Sequence, residues 1–101
     1  MTRHLFVLNP AAGRKNLTEQ LIRAIEKLNL AEPYDIYVTD SEGAAEREAE
    51  RYIAKHSGDF VRIYACGGDG TINEVVSGLV GVANASMTVY PVGSGNDFIK
   101  Y

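Results

Sequence analysis

Apolar positions along this chain alternate between short unbroken runs and helical spacing. His4-Leu5-Phe6-Val7-Leu8 is a compact apolar run closed by Asn9-Pro10, which predicts a buried strand. Leu21, Ile25 and Leu28 then recur at helical intervals behind Asn16, a helix-capping residue type with Glu19 three positions on. They predict an amphipathic helix over 17–28. Tyr34 to Thr39 predicts a second strand. A helix over 42–56 follows, with Ala45, Ala49, Tyr52 and Ile53 on its apolar face and Glu46, Arg47, Glu48, Glu50, Arg51 and Lys55 on a solvated one. Ser57-Gly58-Asp59 ends it, and Phe60 to Cys66 makes a third strand. Ile72, Val75, Val76 and Leu79 share one side of a helix over 71–80, and 87–90 gives a fourth strand. The order β-α-β-α-β-α-β predicts an α/β fold of three layers, α-β-α, around a mostly parallel sheet of about four strands. Asn96 or Asp97 would cap a further helix, of which a single turn remains before Tyr101. One turn does not sustain itself, so the fold is expected to be cut short.

Composition narrows the classes. The 101 residues fit one domain, and 46% hydrophobic with 23% charged residues is globular, not disordered. A formal net charge of -3 provides no drive towards a nucleic-acid backbone, so no nucleic-acid partner is expected. One cysteine, Cys66, excludes an internal disulfide framework and points to a reducing compartment. No apolar run reaches the roughly 20 residues of a membrane span, and the first residues lack a signal-peptide pattern. A cytoplasmic location is the expectation.

Seven of the ten glycines follow residue 66, so chemistry that depends on bare backbone is expected in the last third. Each strand also ends in an unusual segment: Asn9-Pro10-Ala11-Ala12-Gly13, Thr39-Asp40, Gly67-Gly68-Asp69-Gly70-Thr71 and Pro91-Val92-Gly93-Ser94-Gly95-Asn96-Asp97. A parallel sheet brings all four to its carboxyl edge, where ligands of open α/β folds bind.

The third segment carries the most chemistry. Its glycines let a ligand approach the backbone, and the following helix turns free amides towards an anion, most naturally a phosphate. It is no Walker A loop, for which a lysine would have to follow, and Gly68-x-Gly70-x-x-Asn73 lacks the third glycine of the dinucleotide fingerprint. Asp69 would repel a bare phosphate. It makes sense with Mg²⁺ between the two, directly or through water. The plainer account is a strand-to-helix turn that favours Gly and Asp. Ser94 and Asp97 repeat the combination and pair with it as a second wall. Asn9 and Gly13 offer an amide and a close backbone approach, and Thr39 a hydrogen bond to a sugar or base. For each of these an ordinary turn or strand end is the competing account. His4, His56, Cys66 and the tyrosines are read as structural.

Taken together, Asn9 to Gly13, Gly67-Gly68-Asp69-Gly70-Thr71-Ile72-Asn73-Glu74-Val75 and Gly93-Ser94-Gly95-Asn96-Asp97-Phe98 resemble the catalytic domain of diacylglycerol kinases. The likeness is greatest to the compact bacterial lipid kinases, which are related to sphingosine and ceramide kinases. The Gly-Gly-Asp-Gly-Thr element alone is shared with NAD kinases, and the other two motifs tilt the choice to lipid kinases. The resemblance implies ATP- and Mg²⁺-dependent phosphorylation of a diacylglycerol-like hydroxyl, with transient membrane contact. It places Asn9, Pro10, Ala11, Ala12, Gly13, Thr39, Gly67, Gly68, Asp69, Gly70, Thr71, Ile72, Asn73 and Ser94 around the nucleotide. Asp69 and Asp97 fall in the phosphate and metal network, and Ser94 stands where the family often has threonine. Members have a second, mainly β domain that supplies the general base, further metal ligands and much of the lipid pocket. Residues 1–101 correspond to the first domain, so the chain alone is expected to be inactive.

Two other functions share these residues: a NAD kinase, and a nucleotide-binding module without catalysis. An inert fragment with an apolar edge hidden in a homo-oligomer is a further alternative.

Overall fold

The computed structural model describes residues 1–10 and 17–89. β1 (Thr2–Leu8) is central, with β2 (Tyr34–Val38) on one side, β3 (Phe60–Cys66) on the other and β4 (Ala85–Val89) beyond β3. All three pairings are parallel, with Phe6 opposite both Ile36 and Tyr64. The sequence of β1 follows from this position. A parallel strand covered on both faces needs an unbroken apolar run, and residues 4–8 are all buried.

The three helices divide between the two faces. α1 (Leu17–Lys27) lays Leu21 and Ile25 on Phe6, Leu8 and Cys66. α2 (Ala44–Lys55) and α3 (Asp69–Leu79) cover the opposite face. There Ala45, Ala49, Tyr52, Ile53 and Val75 pack on Leu5, Val7, Val61, Ile63 and Ala65. Aromatic packing reinforces the α1 side, where Phe6 stacks on Tyr64 at 4.3 Å and meets Tyr34 edge-on at 6.2 Å. The three-layer α/β architecture expected from the periodicity is the one observed.

Several boundaries and faces differ from expectation. α1 stops at Lys27, because Leu28 and Asn29 bond back to Ile25 and Glu26 and Asn29 turns left-handed at φ 52°. Leu28 is consequently exposed instead of joining the apolar face. α2 begins at Ala44, two residues late, after Gly43 at φ 83°. α3 begins two residues early at Asp69, since Gly68 is extended and Asp69 enters the first turn, where a carboxylate complements the helix dipole. β4 starts at Ala85, drawn in by the hydrogen bonds Val61 N to Asn84 O and Asn84 Nδ2 to Asp59 O. Val76 is exposed on α3, so that helix buries a narrower stripe than its sequence suggests. Glu48, expected on the solvated face of α2, is buried and held by both Nε and Nη2 of Arg51 at 2.9 and 2.7 Å. The Asn16 cap, Tyr90 and the expected helix start at Asn96 or Asp97 lie outside the described residues.

Candidate functional site

The topology makes a crevice at one place. β1 and β3 are neighbours, yet the helix after β1 packs on one face and the helix after β3 on the other. Their connections therefore diverge, leaving a gap above the carboxyl ends of the two strands. Asn9 and Gly67, the first residues beyond these strands, stand at that gap. Asn9 N donates to the Cys66 carbonyl at 3.2 Å, and Thr39 N donates to the Leu8 carbonyl at 2.8 Å. These bonds extend the sheet by one step and hold the ends of β1, β2 and β3 level.

Thr71 and Gly67 lock the floor. Asn9 Nδ2 donates to Thr71 Oγ1 at 3.3 Å, and Thr71 is buried at 3% exposure. A methyl group on Gly67 would come within 2.5 Å of Thr71 Oγ1 and 3.3 Å of the Asn9 Cβ. Here the glycine is demanded by packing inside the protein. Gly68 and Gly70 differ, because no described atom lies within 4 Å of where their Cβ would stand.

Above this floor lies a cavity of about 480 Å³, within the range of small-molecule sites. One wall is Asn9 and Pro10, a second is Thr39 to Glu42 with Ala45, and a third is Gly70, Thr71 and Glu74 on α3. Four of the residues singled out in the sequence thus converge with Asn9: Pro10, Thr39, Gly70 and Thr71. Gly67 lies beneath them. Gly68 and Asp69 are exposed at the start of α3, beside the cavity lining and not within it. Ile72 packs against the core under α2 and α3, and Asn73 is exposed outside the lining. Ala11, Ala12, Gly13, Ser94 and Asp97 lie outside the described residues.

Asp40, Ser41, Glu42, Ala45 and Glu74 also line the cavity; Asp40 belongs to the second strand-end segment and Glu74 to the third motif, but none of the five was given a ligand contact from the sequence. A signal existed for Glu74, which stands three residues after Thr71 and so on the same side of α3. Its carboxylate accepts hydrogen bonds from Gly43 N at 3.0 Å and Ala45 N at 3.1 Å.

Among the described lining residues Asp40, Glu42 and Glu74 are acidic and none is a lysine or arginine. Among the described residues no three His, Cys, Asp or Glu side chains converge as a metal cage. Asp69, expected in the metal network, is exposed at the start of α3. Cys66, at the end of β3, is buried, and burial pushes its thiol pKa up to about 12, so it is no nucleophile.

Comparison with known proteins decides the relationship. The model of the diacylglycerol kinase catalytic domain matches residues 3–101. This chain belongs to the diacylglycerol kinase catalytic-domain family. A diacylglycerol kinase of Bacillus subtilis (strain 168) is 36% identical over 99% of the chain, and one of Staphylococcus aureus (strain bovine RF122 / ET3-1) is 40% identical over 95%. The crystal structure of a diacylglycerol kinase from Bacillus anthracis str. Sterne superposes with a TM-score of 0.69 at 27% identity, covering 94% of the chain. In each case the chain spans about a third of the relative: 33%, 30% and 32% respectively.

Proposed function

We propose that this diacylglycerol kinase family chain is the nucleotide-holding part of a kinase that transfers phosphate from Mg·ATP to a diacylglycerol-like hydroxyl. The observation that carries the reading is the cavity at the switch point, walled by three strand ends and floored by the Asn9–Gly67–Thr71 contact. Gly68 and Gly70 leave the start of α3 bare, so phosphate oxygens can approach its amides closely. Thr39 and its neighbours form another wall of the cavity, against which the uncharged half of a nucleotide would lie. Mg²⁺, when bound, supplies the positive charge that an acidic lining needs before it can accept phosphates. Asp69, exposed at the start of α3, would hold that ion, directly or through water. The lipid would be met by transient contact with the cytoplasmic face of a membrane; among the described residues no helix is long and apolar enough to cross one.

The test uses the intact natural protein. It should phosphorylate diacylglycerol in mixed micelles and leave NAD unmodified when both are offered with labelled ATP. Asp69→Ala should lower lipid phosphorylation by about a hundredfold, the scale of losing one charge-stabilising group. Wild-type activity in that variant, or NAD as the preferred acceptor, would defeat the reading.

A further inference from the structure

Two helices begin at the cavity, α2 and α3, and each starts behind a glycine that has no side chain to cap it. A helix start leaves up to four backbone N–H groups without intrahelical partners. In α2 two amides at this end are satisfied by Glu74, which reaches across from α3 to Gly43 N and Ala45 N. Nearer candidates are otherwise engaged: the Ser41 hydroxyl donates to Asp40 Oδ1 at 3.1 Å and accepts from Arg47 Nη2 at 3.3 Å. No described side chain does for the first amides of α3 what Glu74 does for α2.

The two helix starts at the cavity are thus unequal. At α2 a carboxylate of the protein itself bonds the amides, whereas at α3 Asp69 stands in the first turn and no described side chain bonds the first amides. The same two bonds tie the turn before α2, and with it the Thr39–Glu42 wall, to the helix that carries Gly70 and Thr71. We propose that Glu74 is a positioning residue: it fills the N-terminus of α2, fixes the Thr39–Glu42 wall against α3, and so steers the phosphate end of the nucleotide to α3. The steering rests on the nucleotide reading above, whereas the clamp is independent of it.

Amide hydrogen exchange in the intact protein without ligand tests the clamp. Glu74→Ala should exchange the Gly43 and Ala45 amides at least tenfold faster while those of Val61 and Ile63 in β3 stay unchanged. Unchanged rates at Gly43 and Ala45 overturn the proposal. Calorimetry tests the steering. The same variant should bind Mg·ATP at least tenfold more weakly but inorganic tripolyphosphate within twofold of wild type, because only the nucleoside end depends on the fixed wall. Equal losses for both ligands overturn it. Glu74→Gln keeps one acceptor oxygen, so its exchange rates and ATP affinity should fall between the other two proteins. It also provides the readout if Glu74→Ala does not fold. Should wild type bind neither ligand, the nucleotide reading and the steering both fail, and the exchange rates alone decide the clamp.

Discussion

Glycines that look alike in the sequence do different work in the structure. Gly67 is required by its neighbours, while Gly68 and Gly70 have room for a side chain among the described residues. Gly67→Ala should therefore destabilise the fold by about 1–3 kcal/mol, the usual cost of overpacking, as read by chemical denaturation. It should also separate Asn9 from Thr71 and weaken nucleotide binding in calorimetry beyond what the lost stability explains. The sequence shows a glycine cluster but not this distinction, which depends on Asn9 arriving from a strand end nearly 60 positions away. The pairing of Glu74 was hidden for the same reason, because its partners Gly43 and Ala45 come from the start of another helix. Thr71, Asn9 and Thr39 were legible, since each stands at the junction of two readable elements.

At the scale of elements, the type of every described helix and strand followed from apolar spacing, and the errors were confined to ends and exposed faces. Apolar spacing reports which face is covered. It does not report where the backbone leaves its regular path, and that was set by Asn29, Gly43 and Gly68. β3 offers a direct measure of how firmly such an element is held. Cys66 is buried at its end, and its Sγ lies 3.7 Å from the Tyr64 carbonyl. With a thiol pKa pushed up to about 12, it should resist a thiol reagent such as DTNB at about pH 8. Reaction should follow the opening of β3 and become rapid only in denaturant. Fast labelling of the native protein would show that the carboxyl end of β3 opens readily.

Across the whole molecule, the two edges of the sheet have different tasks. The pocket and the Gly67–Gly70 cluster occupy the carboxyl edge, and ion pairs tie the amino edge. Arg3 Nε donates to Asp59 Oδ2 at 2.7 Å, and the Met1 ammonium lies 3.9 Å from Asp59 Oδ1. The Arg3 hydrogen bond holds the Asp59 pKa below the ordinary carboxylate value. A depressed pKa in the folded state contributes stability above the unfolded pKa of about 4, and that stability is lost as pH falls through the folded value. Asp59→Asn should thus melt lower than wild type at neutral pH, with the difference shrinking in thermal melts taken below about pH 4. A constant difference across that range would exclude the ion pair as its cause. The central place of β1 has a consequence for synthesis. Residues 2–8 leave the ribosome well before their partner in β3, which ends at Cys66. At about 5–20 residues per second, roughly 3–12 s pass before that second partner has been made. During this interval the strand with the most buried positions has an unpaired flank, which makes it the natural stretch for a chaperone to shield.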